Sequence, residues 1–191
     1  IIKDTKGNGV LELLVNPYPI LPMHFTLPSL KHEPQAILQN YSEIHRLLRC
    51  YPELMVFYNG PLCGASAPDH LHLQAGTSGI VPLQRMWQRL SRSLTPVVTT
   101  DDGEGISLIT EYACPAFVIR SRHTETDKKL FRRLYRAMQE GDSEPMMNII
   151  GWRDAEGYLT GVIPRSQHRP KCYSVKNDGL MISPGAIDMA G

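Results

Sequence analysis

Asp69-His70-Leu71-His72-Leu73-Gln74-Ala75 is the stretch on which the reading of this chain turns. Polar and apolar residues alternate in it, and a period of two is the period of a β-strand. His70, His72 and Gln74 then share one face, with about 6.6 Å between alternate residues. Leu71, Leu73 and Ala75 share the other face and suit a hydrophobic core. The polar face offers imidazole nitrogens and a carboxamide, which is a nucleophile or base beside hydrogen-bond donors for an anion. A His-x-His pair on a strand also suits zinc. Catalysis or phosphate binding ranks above a metal here, and both rank above a purely structural role. Immediately upstream, Asn59-Gly60-Pro61-Leu62-Cys63-Gly64-Ala65-Ser66-Ala67-Pro68 is a small-residue loop able to turn backbone N–H groups toward a phosphate.

Working outward, Val10 to Val15 and Met23 to Leu27 read as strands separated by the breaker Asn16-Pro17-Tyr18-Pro19. Pro34 opens a helix to about Cys50, with Ile37, Tyr41, Ile44 and Leu48 on the helical period. Leu54 to Tyr58 is a short apolar strand. Beyond Val81, Leu83 to Leu90 suits a short helix. Strands Val97 to Thr99 and Ile106 to Glu111 flank the turn Asp101-Asp102-Gly103-Glu104-Gly105, and Phe117 to Arg120 follows. Thr124 with Asp127 resembles a helix start, and Gly141 a helix end. The basic face of that helix, Lys128, Lys129, Arg132, Arg133 and Arg136, reads as solvated. Met147 to Trp152 and Tyr158 to Ile163 form a hairpin. This order predicts an α+β protein with an antiparallel sheet and packed helices. Residues 1–80 carry the histidine motif, and 81–191 form a second α+β half packed on the first as one compact unit. A faint common plan makes it possible that the two halves are related.

The 191 residues suffice for one sizeable core or two small ones. Hydrophobic content of 42% with 20% charged residues describes a soluble globular protein. A formal net charge of +1 gives no overall field for nucleic acid or an anionic membrane, so neither is an expected partner and any anion site is local. No apolar run reaches the roughly 20 residues a membrane span needs. Cys50, Cys63, Cys114 and Cys172 are widely spaced and read as reduced thiols of a cytoplasmic protein. The chain begins Ile1-Ile2 with no initiator methionine, so it reads as a fragment with no visible signal peptide. What a preceding segment adds to the site, and the oligomeric state, are not legible.

His70-Leu71-His72-Leu73-Gln74 resembles the His-x-His-x-Gln motif of the histidine triad (HIT-like) superfamily. The branch it resembles is that of galactose-1-phosphate uridylyltransferase, diadenosine tetraphosphate phosphorylase and GDP-hexose phosphorylases. Asn16-Pro17-Tyr18-Pro19-Ile20-Leu21-Pro22-Met23-His24 resembles the superfamily's Asn-Pro-x-Pro-x-x-Pro-Gly-His stretch, with Met23 in place of the glycine. Lys31-His32, Asn59 and Gly64-Ala65-Ser66 also have counterparts there. Asn148 and Ile163-Pro164-Arg165 resemble the C-terminal part of the phosphorylase-like members more loosely. The nearest overall likeness is to uncharacterised bacterial members of this branch. The Cys-x-x-Cys pair that supplies structural zinc in some uridylyltransferases is absent, so no metal or other cofactor is carried over.

The resemblance implies a HIT-like fold, residues 1–80 being the catalytic half. It implies a nucleotidyltransferase or phosphorylase acting on a dinucleoside polyphosphate or a nucleotide sugar. His72 would attack the α-phosphorus, the backbone carbonyl of His70 would orient it, and Gln74 would bind the phosphoryl oxygens. Neutral imidazole is available near pH 7, and both attacks and leaves well; an amide donor stabilises developing phosphoryl charge. Hydrolytic members have a third histidine where Gln74 stands, so glutamine points to transfer or phosphorolysis. Asn16 and His24 would support the site. Asn59, Gly64 and Ser66 would bind ribose or phosphate. Arg165 and His168, with Arg169 and Lys171, would take a second phosphate or the acceptor, a plain basic loop being the alternative. His32, His45 and His123 read as structural. The alternatives to an enzyme are an inactive nucleotide-binding module and a metal-binding protein using His70 and His72.

Overall fold

The alternation around His72 builds one strand of a large sheet. The computed structural model describes residues 1–3 and 6–168. Strands β1 (Ile2–Lys3), β2 (Gly9–Leu11), β3 (Leu14–Val15) and β4 (His24–Pro28) precede helix α1 (Ser42–Cys50). Next come β5 (Leu54–Asn59), β6 (His72–Thr77), the single turns α2 (Pro82–Arg85) and α3 (Trp87–Leu90), β7 (Thr95–Thr99), β8 (Gly105–Ile109) and β9 (Ala116–Ser121). Helix α4 (Thr124–Met138) and the hairpin β10 (Met147–Asp154) and β11 (Gly157–Pro164) complete the order. Nine strands form one antiparallel sheet in the order β3-β4-β6-β5-β10-β11-β9-β8-β7, and β1 pairs with β2 in a small separate sheet. The architecture is therefore α+β, an antiparallel sheet with packed helices. The sheet centre joins sequence-distant strands, because β5 pairs with β6 on one side and with β10 on the other.

Each face of the sheet buries its own core. On one, Leu71, Leu73, Ala75, Val56, Tyr58 and Ile149 meet Ile44, Leu47 and Leu48 of α1 and Leu130, Phe131 and Leu134 of α4. On the other, Met55, Phe57, Ile150, Val118 and Leu159 pack under Leu83 and Leu90 of the short helical turns. Fully burying one such side chain contributes roughly 1.5–3 kcal/mol. The commitment of Leu71, Leu73 and Ala75 to the first core forces the alternate side chains of β6 onto the second face.

Three sequence expectations shift. The helix expected from Pro34 begins at Ser42 instead. The preceding backbone is used elsewhere: Gln35 N–H donates to Pro68 O at 3.1 Å, and Ile37 N–H donates to Glu144 Oε2 at 2.7 Å. The expected strand Val10 to Val15 divides into β2 and β3, because the chain leaves the small sheet after Leu11 and pairs with β4 from Leu14. His70 lies in the turn before β6, not on it, and its N–H donates to Ala67 O at 3.2 Å.

Asp127, expected at a helix start, is fully buried beneath the first core. Tyr41 Oη donates to its Oδ1 at 2.5 Å and Ser121 Oγ to its Oδ2 at 2.6 Å, while His45 Nε2 lies 3.1 Å from Oδ1. This carboxylate ties α1, α4 and β9 together, and burial beside it pushes the Tyr41 phenol well above its ordinary pKa. Asp127→Ala strands these donors in the core and should cost on the order of 3 kcal/mol in urea-induced unfolding. An unchanged midpoint would show that the network contributes nothing.

Candidate functional site

His72 opens β6, and its ring stands on the second face of the sheet, 7% exposed. Its Nδ1 lies 2.9 Å from the carbonyl oxygen of His70. A carbonyl only accepts, so Nδ1 carries the proton and Nε2 presents a lone pair. That Nε2 is buried and has no hydrogen-bond partner among the described residues. Burial holds the imidazole below its ordinary pKa, against the His70 carbonyl, which raises it; the His70 ring adds a further lowering. The His70 side chain itself turns away from this face. Its Nε2 donates to Ser29 O at 2.9 Å, and its ring tilts against His32 at 4.9 Å.

Two strand ends separate to make room for His72. The ladder between β5 and β6 runs from Leu54↔Thr77 to Phe57↔Gln74 and stops short of Asn59 and His72. The carboxamide of Gln35 bridges the gap. Its Nε2 donates to Asn59 O at 2.9 Å and His72 O at 3.1 Å, and its Oε1 accepts from His72 N at 2.7 Å. Gln35 is 2% exposed, so these bonds form where water does not compete. Sequence reasoning placed Gln35 inside a helix, and a lone glutamine after a proline carries no periodic signal that would have exposed its role.

Gln74, two residues along β6, faces Thr26 of β4 and Phe57 of β5. His24 opens β4, stacks on Phe57 at 5.8 Å, and reaches Gln74 Oε1 with Nε2 at 2.8 Å. Ile20 N–H donates to His24 Nδ1 at 3.3 Å, so the ring proton sits on Nε2 and is donated to Gln74 Oε1. The Gln74 NH2 group is then left for another acceptor. Asn16 stands one step further out, its Nδ2 donating to Thr26 Oγ1 at 3.1 Å and its Oδ1 accepting from Tyr18 N at 2.9 Å. The Asn-Pro stretch thus braces β4 instead of reaching His72.

On the other side, Asn59 ends β5 and meets Asn148 of β10, whose Nδ2 donates to Asn59 Oδ1 at 2.7 Å and to Cys63 O at 2.8 Å. Arg165 Nη1 donates to Asn148 Oδ1 at 2.8 Å. The loop after β5 folds tightly here. A Cβ on Gly60 would stand 2.8 Å from Met147 O, and Gly64 takes φ +92°, which favours glycine. Ser66 is exposed on this loop, and His168 is exposed beyond β11. Arg169 and Lys171 lie outside the described residues. The structure therefore brings His72, Gln74, His24, Asn59, Asn148 and Arg165 into one polar row across the sheet. Asn16 braces Thr26 opposite Gln74, Gly64 follows the Cys63 carbonyl that accepts from Asn148, and His70 contributes its carbonyl. His32 lies 3.5 Å from Asp69 at the surface, His45 is in the buried Asp127 network, and His123 Nδ1 lies 2.9 Å from Glu104 Oε1 at the start of α4. Clefts lined by Glu104, Arg120 and Tyr158, and by Val10, Lys31 and Leu71, contain none of the predicted site residues. Among the described residues, no group of three or more His, Cys, Asp or Glu side chains is placed to hold a metal ion, and no helix is long and apolar enough to cross a membrane.

The comparisons with known proteins agree with this architecture. A family model described as a domain of unknown function, DUF4922, matches residues 3–77, which hold the histidine strand and the Asn-Pro stretch. No curated protein matches. Among solved structures, a DUF4931 family protein from Bacillus cereus ATCC 10987 superposes with a TM-score of 0.57 at 15% identity, covering 95% of this chain and 93% of that one. Yeast Ap4A phosphorylase in complex with AMP gives a TM-score of 0.57 at 23% identity over 86% of this chain. Its complex with Ap4A gives 0.55 at 20% identity. The chain spans 59% of the length of the yeast enzyme in the AMP complex. At these identities the likeness establishes the fold alone, an α+β arrangement of one large antiparallel sheet with packed helices.

The depressed His72 pKa has a sign that can be checked. The unfolded chain takes up this proton at about pH 6.5 and the folded chain at lower pH, so acidification below about 6.5 favours unfolding. Stability attributable to His72 is present above pH 6.5 and is lost as the pH falls through that value toward the folded pKa. Replacing His72 by Gln should flatten the loss of unfolding free energy between pH 7 and 5. A steeper loss in His72→Gln than in the wild type would contradict a buried neutral imidazole.

Proposed function

We propose that this protein is a nucleotidyltransferase or phosphorylase that acts on a dinucleoside polyphosphate or a nucleotide sugar through a covalent nucleotidyl-histidine. The observation that carries the reading is the His72 Nε2 lone pair, buried without a partner among the described residues, with Nδ1 held by the His70 carbonyl and the Gln74 NH2 group on the same face. Nε2 forms a bond to the α-phosphorus while the bond from phosphorus to the leaving phosphate oxygen breaks. The imidazole takes up positive charge, and the Nδ1 proton remains shared with the His70 carbonyl, which stabilises it. In the second half, inorganic phosphate or a sugar phosphate attacks phosphorus, the P–N bond breaks, and its electron pair returns to Nε2. Residues 1–80 supply the nucleophile and its immediate donors as the catalytic half. Residues 81–191 supply Asn148, Arg165 and His168 on the side where the leaving and entering groups would lie. Likeness of fold to an Ap4A phosphorylase and to its AMP and Ap4A complexes supports the substrate class. No cofactor enters this chemistry.

The test is mass spectrometry of protein quenched during turnover with Ap4A and with nucleotide sugars. Wild-type protein should carry a nucleotidyl mass, and His72→Ala should carry none. Gln74→Ala should form the adduct roughly 10²–10³ times more slowly, the usual effect of losing one such donor. A wild-type level of adduct in His72→Ala would place the nucleophile elsewhere. No adduct in any protein, with nucleotide binding intact, would make this a binding module.

A further inference from the structure

A guanidinium has only donors, so the atom of Asn148 that faces Arg165 Nη1 at 2.8 Å is its oxygen. Its nitrogen then faces Asn59 Oδ1 at 2.7 Å and Cys63 O at 2.8 Å. The Cys63 carbonyl only accepts, which fixes the same orientation independently. Asn59 consequently accepts from Asn148 through Oδ1 and turns its NH2 group away from β10. Asn148 is 0% and Asn59 2% exposed. Reversing the Asn148 amide would set N–H against N–H at Arg165 and oxygen against oxygen at Cys63, which is expensive at such burial. Asn59 shares a sheet face with His72, and Gln35 bridges their backbones. On the far side of His72, His24 turns the Gln74 NH2 group inward by the same logic.

We infer that Arg165 and Asn148 are positioning residues that hold the Asn59 NH2 group toward a phosphoryl group on His72. Together with the Gln74 NH2 group it forms a pair of neutral donors whose orientations are locked from opposite edges of the site. The inference rests on the nucleotidyl-transfer reading and assigns Arg165 a role through Asn148 instead of through direct contact with substrate. Neutral donors suit a group-transfer site, because they stabilise charge on the phosphoryl oxygens without protonating the imidazole that must leave.

Asn148→Asp is the informative variant. A carboxylate keeps the bond from Arg165 but only accepts, so Asn59 must turn its NH2 group back toward residue 148. Single-turnover adduct formation at saturating Ap4A should fall roughly 10²–10³-fold, as for loss of a transition-state donor. The double variant Asn59→Ala/Asn148→Asp should be no slower than Asn59→Ala alone, because Asn148 acts through Asn59. Independently of catalysis, the Asn59 side-chain NH2 resonances, identified by their loss in Asn59→Ala, should move on adding AMP to the wild type and stay put in Asn148→Asp. Arg165→Met should slow the adduct in the same direction, which keeps the test decisive if Asn148→Asp does not fold. Losses that multiply in the double variant, or wild-type Asn59 resonances indifferent to AMP, would overturn the inference. Absence of adduct in the wild type would defeat the transfer reading instead, while the resonances still report the amide orientation.

Discussion

The hydrogen bond between His72 Nδ1 and the carbonyl of His70, 2.9 Å long, is the constraint on which the site depends. It connects residues two apart, which an extended strand does not allow, because alternate backbone groups there point outward to the neighbouring strands. The chain therefore turns at His70, and β6 begins only at His72. The same turn takes the His70 ring to Ser29 and leaves its carbonyl under the His72 ring. One local bond thus sets the tautomer, aims the lone pair and decides where the strand starts.

Around that turn, buried amides replace the missing rungs of the sheet. Gln35 closes the gap between Asn59 and His72, and Asn148 ties Asn59 to the loop at Cys63. These groups are neutral, and each finds partners for the atoms it buries, so the site is rigid without buried like charges. Rigidity comes also from beneath. The leucines and alanine of β6 sit in the core formed with α1 and α4, and that core includes the buried Asp127 network. A slip of β6 by one residue would exchange His72 for Leu73 and lose both the core and the site.

The alternation of Leu71, Leu73 and Ala75 made the strand and its two faces legible, and the hairpin around Asp154 to Gly157 was equally plain. Gln74 stood out by sharing the alternating polar face with His72, whereas Asn16, His24, Asn59 and Arg165 were singled out only by a family resemblance, since nothing in their local spacing sets them apart. What escaped had a common physical cause. Gln35 and Ser42 lie in one stretch whose apolar spacing suits a helix throughout, yet Pro68 O and Glu144 Oε2 accept from the backbone N–H groups of Gln35 and Ile37 and end that option for its first turns. Those partners come from residues distant in sequence, and a periodicity reading weighs only near neighbours. The bracing bonds also escaped. The resemblance marked Asn16 and, more loosely, Asn148, but not that Asn16 donates to Thr26 or that Asn148 joins Asn59 to Cys63.

The central claim is that His72 is held as the Nδ1–H tautomer with a bare Nε2. Nitrogen NMR of protein labelled with ¹⁵N-histidine, at a pH above 6.5, tests it directly, because protonated and unprotonated ring nitrogens resonate far apart. The account predicts a protonated Nδ1 and an unprotonated Nε2 for the residue whose signals vanish in His72→Gln. A protonated Nε2 in that residue would contradict it, since a nitrogen carrying a proton has no lone pair with which to attack phosphorus.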